Sequence, residues 1–219
     1  LAGHETVLYD IDETKVAAGL GACLSNIDQL VEGGLVETGS AADAKQLLST
    51  CTQLNEAVQG CGLVIEAVTE DLNLKRKIFR RLDEIVPPET ILTSNTSGLR
   101  ISDIVTEMKH PERTATTHFW YPAHLVLLVE IVLGEKTDPK IGATLRDLLT
   151  GWGKSPVVVK KDLPGQLANR ILQAVIREAV DIVESGLASA EDVDTAIKAG
   201  MALRFPVWGP LEHIDGVGL

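Results

Sequence analysis

An α/β domain with a largely parallel sheet, followed by an all-helical region, is the architecture this sequence predicts. Three observations carry it. Short β-rich runs alternate with helical patterns over residues 1 to about 160, as in chains built from βαβ units. One of those runs, Leu63 to Val68, is almost continuously apolar, the pattern of a strand buried on both faces of a parallel sheet. After a linker from Lys160 to Gly165 no β-rich run recurs, and the apolar periodicity is helical. The domain boundaries read as 1–160 and 161–219.

The chain enters a strand almost at once, from Glu5 to Asp10. A helix begins at Asp12 or Glu13 and carries apolar residues at Val16, Leu20, Ile27 and Leu30 before Gly33 and Gly34 stop it. A second helix is expected from Ala41 to Leu48, a weak strand from Thr52 to Leu54 and a short helix through Ala57. The strand Leu63 to Val68 contains Glu66, which must lie near its end or meet a partner. The helix Leu72 to Val86 follows, and its five basic residues between Lys75 and Arg81 read as a solvated face. Pro87 and Pro88 end it. A strand from Ile91 to Asn95 then delivers Ser94 to Ser97 into a loop, followed by a helix from Ile101 to Met108. Strands Ala115 to Phe119 and Leu127 to Val132 flank a turn at Pro122, and a helix Asp138 to Trp152 precedes the strand Ser155 to Val159. The helical region holds segments Gln166 to Val183 and Ala190 to Ala199, then a sharp turn from Phe205 to Pro210.

The stretch Thr114 to Val132 concentrates the chemistry. His118 and Glu130 stand near the two ends of an almost uncharged run, and the turn at Pro122 can fold one toward the other. A carboxylate bonded to one ring nitrogen of histidine fixes its tautomer and raises the basicity of the other, which suits removal of a proton from an alcohol. The local alternative is a core histidine beside a strand-end charge. Asp10 sits where a dinucleotide-binding fold places the carboxylate that holds the adenosine ribose, and it also suits a turn. Asn95, Thr96 and Ser97 lie where this architecture binds ligands, and equally suit turn and cap chemistry. Asn169 and Arg170 are polar in a mostly apolar helix start, facing either a cleft or the linker. Trp120 and Tyr121 either roof a pocket or pack.

The formal net charge of -11 argues against a nucleic-acid partner, since a phosphate backbone needs clustered Lys and Arg. Three cysteines, Cys23, Cys51 and Cys61, form neither a disulfide framework nor a close metal-ligand spacing, which suggests a reducing compartment and no metal site. No apolar run approaches the ~20 residues that cross a bilayer, so a cytoplasmic location without membrane contact is expected.

Five motifs occur in order: DLNLK after VIEAVTE, SNTSGL at 94–99, HFxxPxxxxxLVE at 118–130, PGxxxNR at 164–170 and GPxExxD at 209–215. Together they resemble the 3-hydroxyacyl-CoA dehydrogenase family along nearly the whole chain. The resemblance implies a Rossmann-type NAD-binding domain and a helical domain for substrate binding and dimerisation. Both read as incomplete, the first without its first strand and Gly-rich loop. It implies an NAD-dependent oxidoreductase converting a 3-hydroxy group to a ketone, as in fatty acid metabolism, and a homodimer. Carried over by position, His118 is the base, Glu130 its supporting carboxylate, and Ser97 and Asn169 reach the substrate oxygen. The NAD contacts fall on Asp10, the backbone of Ala67 and Val68, Glu70, Lys75, Asn95, Ser97 and Tyr121. Two departures stand out. Tyr121 replaces the family's usual Asn, and no Lys or Arg occurs from Val16 to Gly33, where members using acyl-CoA place basic residues. A small non-CoA hydroxy acid or alcohol, of the gulonate, carnitine or pyridine-carboxylate type, is therefore an equal expectation for the substrate. A catalytically weak NAD-binding protein is the remaining one.

Overall fold

The computed structural model describes residues 1–218 and divides into two compact units, residues 1–166 and a second beginning at Leu167. In the first unit, β1 (Thr6–Tyr9) and β2 (Leu48–Cys51) pair in parallel as a two-stranded sheet, with α1 (Glu13–Glu32) and α2 (Thr38–Gln46) between them in the chain. The Asp12 carboxylate caps α1 by accepting from the Thr14 and Lys15 N–H groups. After α3 (Leu54–Ala57) come β3 (Leu63–Glu66), α4 (Leu72–Ile85), β4 (Ile91–Ser94), α5 (Ile101–Ile104), β5 (Thr114–Phe119), β6 (Leu128–Val132), α6 (Pro139–Gly151) and β7 (Ser155–Val159). These five strands form one sheet in chain order. Each neighbouring pair is parallel except β5–β6, which is antiparallel.

Strand alternation explains why this sheet is filled on both faces. Leu92 of β4 packs with Phe79 and Leu82 of α4 and Ile101 and Ile104 of α5. Its neighbour Ile91 points the other way, joining Ala115, Val129, Ile131 and the α6 residues Leu145 and Leu149. With Ala115, Val129 and Ile131 committed to the α6 side, His118 and Glu130, one or three positions away, fall on the opposite face of β5 and β6.

Several elements differ from the sequence expectation. α2 starts three residues before Ala41, and β2 occupies Leu48–Cys51 rather than Thr52 to Leu54, because Thr6 to Tyr9 fix its register and Gln53 already stands at the N-cap position of α3. β3 stops at Glu66 and is not buried on both faces. It borders the five-stranded sheet, and Ile65 remains 38% exposed. α5 ends at Ile104, four residues short of Met108. Lys75 does not belong to a solvated face, since it is 1% exposed.

The second unit comprises α7 (Ala168–Glu184), α8 (Ala190–Ala196), a π-helical turn (Ile197–Met201), α9 (Ala202–Arg204) and α10 (Pro210–Val217). α7 begins two residues after Gln166, whose φ of 50° is incompatible with a right-handed helix. The expected Ala199 end of the next helix is passed over, because the π turn and α9 carry helical backbone on to Arg204. Ser189 caps α8 through its hydroxyl, and Glu212 accepts from the Gly209 N–H at 2.7 Å at the start of α10.

Candidate active site

The antiparallel register sets His118 directly opposite Glu130. Cross-strand partners share a face, so the two side chains meet, and His118 Nδ1 lies 2.8 Å from Glu130 Oε2. Trp120 Nε1 donates to the same carboxylate oxygen at 3.0 Å. Glu130 is fully buried and His118 is 7% exposed. With a carboxylate against Nδ1, the proton belongs on that nitrogen, which leaves Nε2 as the lone-pair nitrogen. The pair can thus accept a proton at Nε2 while keeping the ring orientation fixed.

The carboxyl ends of β3 and β4 meet beside β5 in a second polar cluster. Glu66, the last residue of β3, accepts from Lys75 Nζ at 2.7 Å and Val68 N–H at 2.6 Å through Oε1, and from the Ser94 hydroxyl at 2.6 Å through Oε2. Lys75 also donates to the Val68 carbonyl and lies 3.4 Å from Glu70. Burying an ammonium and a carboxylate is costly unless each is paired and hydrogen-bonded, and here both conditions are met. The result is a β3–α4 loop held from beneath, with Ala67 and Val68 exposed above it.

Glu70 ties that loop to the next one. Its carboxylate accepts from the Thr96 hydroxyl and from the Ser97 and Gly98 N–H groups. Partial burial works to raise the Glu70 carboxyl, but the Thr96 and Gly98 hydrogen bonds and the Lys75 ammonium outweigh it and hold the group below its ordinary value. Asn95 bridges the strands, donating its N–H to the Glu66 carbonyl and accepting from the Phe119 N–H at 2.9 Å.

The structure therefore brings Glu70, Lys75, Asn95, Ser97 and the Val68 backbone into one hydrogen-bonded cluster, with Ala67 in the same loop, and joins it to β5 through Asn95. Asp10 stands elsewhere, at the end of β1, where its carboxylate accepts from the Asp12 N–H. Tyr121 is 93% exposed on the β5–β6 loop. Asn169 lies in the first turn of α7, in the second unit. Sequence reasoning missed three features. The indole bond of Trp120 to Glu130 had no signal beyond proximity. The Glu66–Ser94–Lys75 network had one, a lone carboxylate in an apolar strand. The Gln166 amide, which donates to the Thr96 carbonyl at 2.7 Å, had none.

The strand-end cluster suits a dinucleotide on structural grounds: loops with fixed backbone at the carboxyl ends of parallel strands, and a buried amide oxygen, Gln166 Oε1, that has no partner among the described residues. A family model described as 3-hydroxyacyl-CoA dehydrogenase, NAD binding domain, matches residues 1–163, and one described as 3-hydroxyacyl-CoA dehydrogenase, C-terminal domain, matches residues 165–219. The chain is 42% identical over 166 residues to 5-formyl-3-hydroxy-2-methylpyridine 4-carboxylate 5-dehydrogenase of Mesorhizobium japonicum, covering 76% of this chain and 54% of that one. It is 37% identical over 222 residues to the mitochondrial hydroxyacyl-coenzyme A dehydrogenase of Rattus norvegicus, covering 99% and 69%. The chain thus spans about half the length of the first relative and about two thirds of the second. A crystal structure of a 5-formyl-3-hydroxy-2-methylpyridine 4-carboxylic acid 5-dehydrogenase, an NAD+ dependent dismutase, superposes with a TM-score of 0.83 at 35% identity, covering 99% of this chain and 69% of that one. The two matched domains account for nearly every residue, and the chain belongs to the 3-hydroxyacyl-CoA dehydrogenase family.

Proposed function

We propose that the chain carries the catalytic centre of an NAD-dependent dehydrogenase that oxidises a hydroxyl at carbon 3 of an acyl substrate to a ketone. The buried His118–Glu130 pair is the observation that supports this most directly. Bound NAD supplies the hydride acceptor. His118 Nε2 takes the hydroxyl proton as the substrate C–H bond breaks, and returns it in the reverse direction. Glu130 keeps the ring in the required tautomer and stabilises the imidazolium by a charge-assisted hydrogen bond. Ser97 and Asn169 orient the substrate oxygen. Asp10 receives ribose hydroxyls, and the Ala67–Val68 backbone, Glu70, Lys75, Asn95, Ser97 and Tyr121 form the rest of the cofactor site. The helical unit mediates a homodimer. The free thiols of Cys23, Cys51 and Cys61 support a reducing compartment such as the cytoplasm.

Two substrate classes compete. A 3-hydroxyacyl-CoA thioester follows from the family as a whole. A small non-CoA hydroxy acid or alcohol is supported by α1, which has no Lys or Arg after Lys15 to receive CoA phosphates, and by the relative named for a pyridine carboxylate. Following NADH oxidation with acetoacetyl-CoA and separately with a panel of free keto acids decides between them. Turnover of one class only assigns the substrate; NADH binding with no turnover of either assigns a binding role instead. Replacing His118 by Gln should reduce turnover by ~10²-fold or more with NADH affinity nearly unchanged, and undiminished turnover would remove His118 from its role.

A further inference from the structure

We propose that Gln166 is a specificity-determining residue of this site, whose side-chain oxygen receives a neutral hydrogen-bond donor, an amide N–H or a hydroxyl, from the bound ligand. The inference rests on the dehydrogenase reading above. Gln166 is 6% exposed, and its amide donates from Nε2 to the Thr96 carbonyl at 2.7 Å. A carbonyl partner fixes the amide orientation, so Oε1 is the remaining polar atom, and among the described residues no group donates to it.

Its backbone points the same way. Gln166 has φ 50°, the one non-glycine residue with positive φ among those described, directly after Gly165 at φ 80°. A left-handed backbone and an unmet buried acceptor are two costs on one residue, a combination found where a side chain is held ready for a partner. The approach is fixed as well. Asp162 accepts from the Ser102 N–H at 2.8 Å with its carboxylate and from Arg100 Nε at 2.9 Å with its carbonyl, and the Gln166 N–H donates to the Leu163 carbonyl.

The location follows from the sheet. Ser94 and Thr116 are in register on the parallel strands β4 and β5, so two residues on, Thr96 and His118 emerge side by side at the carboxyl edge. Asn95, bonded to the Phe119 N–H, keeps them joined there. Thr96, to whose carbonyl Gln166 is fastened, therefore stands about one strand spacing, ~5 Å of backbone, from the histidine strand. An uncharged acceptor at that point selects a donor and gives nothing to a carboxylate or phosphate. Three ligand groups have this chemistry, the carboxamide of the nicotinamide, a ribose hydroxyl of the cofactor and a hydroxyl of the substrate.

The test uses Gln166→Met, which keeps size and loses the amide, and Gln166→Gly, which suits the left-handed backbone and loses the side chain. NADH affinity by fluorescence, kcat and both KM values are measured with NAD+ and with its 3-acetylpyridine analogue, which lacks the carboxamide N–H. Both variants should raise one KM about five- to tenfold, the weight of a single buried hydrogen bond, with a smaller change in kcat and no loss of Tm in the glycine variant. If the defect falls on NAD+ and vanishes with the analogue, the donor is the carboxamide. If it persists with both cofactors, the donor is a hydroxyl, of the substrate where the substrate KM rises and of the cofactor ribose where the dinucleotide KM rises. Wild-type KM values in both variants overturn the inference, as does a defect that only follows a lowered Tm. A wild-type chain that binds no NADH overturns the functional reading and the inference with it, a signature distinct from the others.

Discussion

His118, Glu130 and Lys75 show what one residue position does and does not disclose. A histidine and a glutamate in a nearly uncharged run are conspicuous, because apolar sequence leaves a charged group few reasons to be there. Lys75 is different: it lies among Arg76, Lys77, Arg80 and Arg81, and only the fold shows that it alone turns inward to Glu66. Changing Lys75 to Met leaves Glu66 a buried carboxylate without its cation, and should cost about 3–5 kcal/mol of stability in urea unfolding. The pair Lys75→Met with Glu66→Gln should recover part of that loss. Replacing Glu130 by Ala strips the acceptor from both the His118 and Trp120 N–H groups, so it should destabilise by about 1–3 kcal/mol and also depress kcat. Loss of stability with kcat intact would assign Glu130 to structure alone.

At the scale of elements, periodicity and breakers located nearly every helix and strand of the first unit, whereas pairing was not readable. Thr52 to Leu54 look as much like a strand as Leu48 to Cys51 do, and only the ladder with β1 selects the latter. Likewise, the apolar run of β3 does not by itself say which strand it pairs with, and only the ladder with β4 does. The contact between α4 and the start of β5 was equally hidden. There Asp83 pairs with Arg113 at 2.7 Å and accepts from the Lys109 and His110 N–H groups. Burial acts to raise the Asp83 carboxyl, but the Arg113 hydrogen bond, the two N–H groups and the Arg113 charge hold it below its ordinary value. A depressed folded value means that the contribution is complete above the unfolded value of ~4 and disappears as pH falls through the folded one. Asp83→Asn should therefore unfold at lower urea than wild type at pH 7, with the gap narrowing steadily as pH drops below ~4. A gap independent of pH would show that the carboxylate charge is not its source.

For the molecule as a whole, the homodimer we propose follows from the family resemblance, and α7, which leaves Ile171, Leu172, Ile176, Val180 and Val183 each at least 38% exposed, is the surface on which it is tested. Light scattering should return twice the chain mass, and Ile176→Glu with Val180→Glu should return one; a wild-type monomer at micromolar concentration would end that proposal. Among the described residues no helix is long and apolar enough to cross a membrane. The placement of His118 opposite Glu130 reaches further than catalysis. Their separation is set by a ladder of backbone hydrogen bonds, while the residues beyond Trp120, from Tyr121 to Leu127, form a loop pinned by Lys154 to the Ala123 and Val126 carbonyls. A change in that loop's length or side chains leaves the ladder in register, whereas a one-residue slip of β6 would turn Glu130 to the far face. The geometry of the proton-transferring pair is therefore independent of that loop, so a substitution at Tyr121, its most exposed side chain, should leave the His118–Glu130 pairing unchanged.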